Sequence, residues 1–364
     1  MVPDLIGFET DKRLASSRGR SRQWLSGHST KASKHSRKRR GARLILLSCL
    51  MACMAATGSP SQAEPPKLQI DAELRSLHVL PDSQFAEIGG ETIHFVDEGV
   101  GASILLVHGS FASLRQWDYW AERLSEEFRV VRFDLSPLGL SGPHPENAYS
   151  VEDRIALIDG LMDRLGIGKF TIVGTSSSGV PVTAYAAARP DRLNGVVLSN
   201  IAIGKLTIDY SSLPPALLAA VKEDLTHPGY HKPDYWRQIL LHNVENDSVV
   251  TEAIVDRWTA LNNRAKLAPD AVEALIAASS ALRTPDDLAK ISVPTLLLWS
   301  QNDHETTLKD SGLQALDMLT VADRTLIAIG GCGHMMPLDC PDQSLDAALP
   351  FLRRVKAEPL EVKH

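Results

Sequence analysis

Residues 170–179 constrain the chain most: Phe170-Thr171-Ile172-Val173-Gly174-Thr175-Ser176-Ser177-Ser178-Gly179. A short β-branched apolar run meets a glycine, three small hydroxyl residues and a second glycine, and an apolar helical pattern follows. That order predicts a strand passing into a helix through a very tight turn. Gly174 lets neighbouring backbones pass close together, and the turn pushes the Ser176 hydroxyl out of the packed layers. A serine hydroxyl is a weak nucleophile unless a base stands beside it and a third group orients that base. The stretch therefore requires two things of the chain: a sheet covered by helices, and partners for Ser176.

The sheet is legible on both sides of the turn. Residues 85–96 read as a hairpin around Gly89-Gly90. Residues 103–107 (Ser-Ile-Leu-Leu-Val) form a continuous apolar run, the kind a parallel sheet buries on both faces. Further strands are predicted at 128–135, 169–173, 194–199, 294–299 and 324–329, with helices over 112–126, 151–165 and 180–188. Ser150 stands as N-cap of the second of these, ahead of an acidic first turn. The expected fold class is α/β: a mostly parallel sheet with helices on both faces, its core formed by residues 84–200 and 291–364. Residues 201–290 lack strand signal, carry helical patterns at 217–225, 249–262 and 269–281, and hold Tyr210, Tyr230, Tyr235, Trp236 and Trp258. That is far longer than an ordinary loop. It predicts an inserted helical cap over the C-terminal ends of the strands.

Charge separates the N-terminal region from the rest. Residues 1–63 contain 12 Lys/Arg against 3 Asp/Glu, leaving 26 against 41 in the remainder, a balance near −15. An acidic remainder disfavours nucleic acid and anionic membrane surfaces as partners, and a small-molecule substrate is expected. The oligomeric state is not legible. The basic stretch before the apolar run 44–58, followed by small residues Ser61 and Ala63, predicts a secretory leader over 1–63 cut after Ala63. The run is shorter than the roughly 20 apolar residues of a stable span. Leu50-Met51-Ala52-Cys53 also resembles a lipobox, so a lipid anchor at Cys53 is the alternative form of export. Pro65-Pro66 opens a polar linker over 64–83. With the leader removed, only Cys332 and Cys340 remain, either joined in an oxidising compartment or buried as free thiols. No cofactor or metal is expected: no phosphate loop appears, and residues 330–333 lack the spacing of a dinucleotide fingerprint.

Partners for Ser176 stand at the ends of two later strands. Asp303 follows the strand at 294–299, and His334 follows the strand at 324–329. Ser176, Asp303, His334 is the order of nucleophile, acid and base in one known arrangement of the triad. His108 is expected to brace its turn rather than react, and His304 to have no role. With these residues placed, the chain resembles the cap-containing α/β-hydrolases over about residues 84–356. His108-Gly109-Ser110 resembles the oxyanion turn, 174–179 the G-x-S-x-G-G elbow, 299–303 the W-G-x-x-D segment, and Gly333-His334 with Asp339 and Pro341 the G-H-x-x-x-x-E-x-P segment. Ser178 departs from the elbow glycine, which a slightly wider spacing of helix and strand should accommodate. Residues 136–141 depart from P-G-x-G-x-S. The resemblance implies a serine hydrolase with oxyanion donors from the Ser177 and Ser110 backbones, with Phe111 as an alternative to Ser110. Serine at the elbow argues against dehalogenase and epoxide-hydrolase chemistry, which uses aspartate there. Cleavage of an ester, thioester or lactone is the expectation. The alternatives are cleavage of a carbon–carbon bond beside a carbonyl, and a non-catalytic receptor on the same fold.

Overall fold

The computed structural model describes residues 71–205, 213–227, 230–264 and 277–356. Eight strands form one sheet in the order β1-β2-β4-β3-β5-β6-β7-β8. β1 (Gln84–Ile88) and β2 (Glu91–Glu98) are the expected hairpin, and β2 pairs antiparallel with β4 (Arg129–Phe133). From β4 onward every pairing is parallel, through β3 (Ser103–Val107), β5 (Phe170–Thr175), β6 (Leu193–Ser199), β7 (Thr295–Ser300) and β8 (Arg324–Ile329).

The apolar runs explain the layers. In β3, Leu105 and Val107 face one core while Ile104 and Leu106 face the other. The first core is closed by α3 (Val151–Arg164) and α4 (Gly179–Ala188), the second by α2 (Asp118–Leu124) and α11 (Pro341–Val355). A strand covered on both sides has no polar face to show, so alternation disappears from its sequence. Each such Leu, Ile or Val contributes about 1.5–3 kcal/mol by leaving water. α3 begins as expected at Ser150, which accepts from Asp153 N while the Asp153 carboxylate accepts from Ser150 N, a reciprocal cap.

β3 leads on one side to β4 and, through the next crossover, on the other side to β5. The C-terminal ends of β3 and β5 therefore flank a topological switch point, where open α/β sheets leave a crevice. Val107 pairs with Gly174, so residues 108–111 and Ser176 leave the sheet side by side.

Between β6 and β7 lie α5 (Pro215–Asp224), α6 (Pro233–His242) and α7 (Glu252–Asn262); most of the helix expected at 269–281 falls outside the described residues. Tyr235, Trp236, Leu240, Val255 and Trp258 form an apolar cluster with Ala112 and Met335, against Phe111. These helices thus pack on the segments that follow β3 and β8. Two short helices, α8 (Thr284–Leu288) and α9 (Leu313–Met318), and a single turn, α10 (Met336–Asp339), complete the described elements named here.

The expected linker 64–83 is corrected over its described part. Residues Asp71–His78 form α1, with Leu74 fully buried against Leu140 and Leu261. The Asp71 carboxylate accepts two bonds from Arg264, at 2.8 and 2.9 Å, and Arg264 also donates to the carbonyls of Gly139, Ser141 and Gly142. A polar helix is retained here because its one buried apolar residue, Leu74, and its acidic first turn both meet partners far away in sequence. Cys332 and Cys340 are joined by a disulfide, with Cα atoms 5.7 Å apart. Among the described residues, no helix is long and apolar enough to cross a membrane.

Candidate active site

Ser176 stands at φ +54°, in the left-handed region that a side chain rarely adopts. The strain belongs to the turn: β5 ends at Thr175, a single 3-10 turn covers Ser176–Ser178, and α4 begins at Gly179. Two glycines permit it. A Cβ on Gly174 would lie 2.8 Å from Val182, and one on Gly179 would lie 2.5 Å from Ile201. Ser178 is buried in the turn. Its hydroxyl accepts from Thr175 N at 2.8 Å and lies 2.8 and 2.9 Å from the carbonyls of Thr175 and Val107. The extra atom is absorbed as a polar tie between elbow and β3.

Both expected partners of Ser176 converge on it. Ser176 Oγ lies 2.9 Å from His334 Nε2, and His334 Nδ1 lies 2.7 Å from Asp303 Oδ2. With Nδ1–H donated to the carboxylate, Nε2 of the neutral ring is left to accept from the serine. Asp303 is fixed in turn: Oδ1 accepts from the backbones of Glu305 (2.7 Å) and Thr306 (2.9 Å), and Oδ2 from the Thr306 hydroxyl at 2.7 Å. Burial opposes charge on Asp303, but His334 and these donors outweigh it and hold the carboxyl below the usual range. For His334, burial is the largest single influence and lowers its pKa; Asp303 and Glu305 together outweigh it and raise the pKa above the ordinary histidine value. Glu305 Oε2 lies 3.6 Å from His334 Nε2, on the serine side of the ring.

Ser110 and Ser177 are also brought together, their hydroxyls 2.7 Å apart. Phe111 adopts φ +57°, and its carbonyl accepts from Asn262 Nδ2 at 2.9 Å, so α7 holds this turn from above. Among the described residues, the backbone N–H groups of Ser110, Phe111 and Ser177 donate to no backbone carbonyl. Gly109 packs against the serine: a Cβ there would lie 3.1 Å from Ser176 Cβ. His108 braces the turn, as expected. Its Nε2 accepts from Leu135 N at 2.8 Å and its Nδ1 lies 2.8 Å from Gly109 O, while burial pushes its pKa down. His304 is exposed and stacks on His242, outside the serine–histidine–aspartate chain.

The residues that clamp His334 were not legible. Asn200 Nδ2 donates to His334 O at 2.8 Å, and Asn200 Oδ1 accepts from Ser300 N at 2.8 Å. Asp339 accepts from Gly333 N at 2.6 Å and from Glu245 N and Asn246 N, both at 2.9 Å, tying the histidine loop to the segment after α6. Asp339 carried a signal as part of the G-H-x-x-x-x-E-x-P likeness; Asn200 carried none.

Residues 102–341 match the family model described as the alpha/beta hydrolase fold. The chain belongs to this family. It is similar to a 2-hydroxy-6-oxo-6-phenylhexa-2,4-dienoate hydrolase of Comamonas testosteroni, 26% identical over 75% of this chain and 96% of that protein. It is also similar to a 2-hydroxy-6-oxononadienedioate/2-hydroxy-6-oxononatrienedioate hydrolase of Pseudomonas putida, 29% identical over 74% and 96%. Among solved structures, a thermophilic esterase from Thermogutta terrifontis superposes with a TM-score of 0.58 at 23% identity, covering 76% of this chain and 99% of that one. That likeness concerns the fold.

Proposed function

We propose that this α/β hydrolase is a serine hydrolase that cleaves a carboxylic ester, thioester or lactone of a small, partly apolar molecule through an acyl-enzyme. The observation that carries the reading is the chain Ser176 Oγ–His334 Nε2 (2.9 Å) and His334 Nδ1–Asp303 Oδ2 (2.7 Å), with the serine on a left-handed turn. Ser176 Oγ attacks the carbonyl carbon as its proton passes to His334 Nε2. Asp303 keeps Nδ1 protonated and stabilises the imidazolium. The oxyanion accepts from the backbone N–H of Ser177, at the start of a helical segment, and from that of Ser110 or Phe111. Collapse expels the alcohol oxygen, which takes the proton from Nε2. Water then attacks the acyl-enzyme, gives a proton to the same nitrogen, and releases the acid and the free serine.

A second reading is favoured by the relatives, which align over nearly their whole lengths. Their names specify 6-oxo acids, in which the carbonyl is a ketone, and hydrolysis there breaks a carbon–carbon bond. The same attack serves both reactions; the ketone route adds proton delivery to a carbon leaving group. A panel of esters varied in acyl and alcohol length, run beside a 6-oxo-2,4-dienoate, separates them. Turnover of esters with the dienoate untouched supports the first reading. The reverse supports the second. Turnover of neither, with tight binding, would make the protein a receptor.

We also propose export. The leader 1–63 lies outside the described residues, and the Cys332–Cys340 disulfide fits an oxidising compartment. N-terminal sequencing of the mature protein tests this: Glu64 at the N-terminus supports cleavage, lipidated Cys53 the anchored form, and an intact N-terminus neither.

A further inference from the structure

Arg154 is a buried cation that the described residues leave without an ionic partner. It lies in the first turn of α3, is 4% exposed, and forms no ion pair or side-chain hydrogen bond among the described residues. Its guanidinium sits 5.0 Å over the Tyr149 ring. Glu91 is near enough to be felt, but is not paired with it. Glu91 is itself buried, its Oε2 has no hydrogen-bond partner, and burial pushes its carboxyl toward the neutral form. Asp153, the adjacent acid, is committed to the Ser150 cap. A cation buried this way costs stability unless a countercharge arrives.

Arg154 also lines the cavity that contains the proposed oxyanion turn. Gly109, Ser110, Phe111 and Ser177 form one part of that cavity, and Ser136, Leu138 and Pro181 flank the arginine in the rest. Neither Ser176 nor His334 is among its walls, but Gly109, which packs against Ser176, and Ser177, which follows it, both are. A leaving group must lie against His334 Nε2 to collect its proton, so this cavity receives the acyl half of the substrate.

We infer that Arg154 is an anion subsite: the substrate carries a carboxylate on its acyl side, and Arg154 binds it while Ser176 attacks the carbonyl. The cation then acquires in the complex the partner it lacks in the free protein, through a charge-assisted and geometrically bidentate contact. Tyr149 and the apolar walls hold the fork in place before the ligand arrives. This inference rests on the serine-hydrolase reading for its kinetic consequence, but not for binding.

The test uses both. For the mature protein, kcat/KM is compared between p-nitrophenyl hydrogen glutarate and p-nitrophenyl pentanoate, which are similar in length and differ in the terminal charge. The expected preference for the glutarate is tenfold or more, reduced at least tenfold in Arg154→Gln and partly kept in Arg154→Lys. In parallel, glutarate binding to Ser176→Ala is measured by calorimetry and should vanish when Arg154→Gln is added. Because an unpaired buried charge is removed, Arg154→Gln should unfold at the same or a higher temperature. A lower unfolding temperature with unchanged glutarate preference would overturn the inference in favour of a structural arginine. Equal rates on both esters, with intact labelling of Ser176, would overturn the subsite and leave the hydrolase standing. Arg154-dependent glutarate binding without any esterolysis would do the opposite.

Discussion

The Ser178 hydroxyl shows how one atom changes what a turn is made of. Where the family resemblance calls for glycine, the side chain ties Thr175 to the end of β3. Removing it leaves a buried N–H and carbonyl with fewer partners, which costs about 1–3 kcal/mol. Ser178→Gly, although it restores the resemblance, is therefore expected to lower stability by about that amount in urea unfolding; a gain in stability would show that the tie is idle. Glu305 acts on the base from the other side. Both it and Asp303 raise the His334 pKa, and a base must be neutral to accept a proton. Activity should rise with pH through a midpoint above the ordinary histidine value near 6.5. Glu305→Gln removes one of the two raising charges, so the acid limb of kcat/KM against pH moves to lower pH. A shift upward, or none, would contradict the placement of Glu305 beside Nε2. Ser176, Asp303 and His334 were legible because each stands just past a strand end, where position in sequence fixes position in space. Asn200 and Arg154 were not: the first works through a carbonyl 134 residues away, and the second occupies a first-turn position whose burial only the packed loops reveal.

At the scale of elements, the strands were readable because two-sided burial leaves an unbroken apolar run. α1 was not, having one buried side chain and an ion-pair partner 193 residues on. α6 was noticed only for its aromatics, although Tyr235, Trp236 and Leu240 form one buried face of its ten residues. The loop carrying His334 is held by three devices: Asp339, Asn200 and the disulfide. The disulfide spans 8 residues, for which loop closure predicts roughly 2–3 kcal/mol of stabilisation. Reduction should lower the urea midpoint correspondingly, and activity should fall as the histidine loop loosens. Gly333 tests the clamp differently, since a Cβ there would lie 2.7 Å from Asn243 O. Gly333→Ala should force the loop from the segment after α6 and depress kcat more than it depresses stability; unchanged kcat would mean that the loop has slack.

Across the whole molecule, the sheet order sets the chemistry. Neighbouring strands β3 and β5 lead into the 108–111 turn and Ser176, and β7 and β8 into Asp303 and His334, while β6 between them is followed by Asn200. The inserted helices contact this assembly at Phe111, Gly333 and Met335, so the turn after β3 and the histidine loop share one packing surface. The proposed mechanism requires that Ser176 become covalently acylated. A fluorophosphonate probe followed by peptide mass spectrometry tests it most directly. One adduct is expected on Ser176, lost in Ser176→Ala and strongly slowed in His334→Ala, with the fold retained in both. An adduct on Ser177 or Ser178, or full ester turnover by Ser176→Ala, would contradict it.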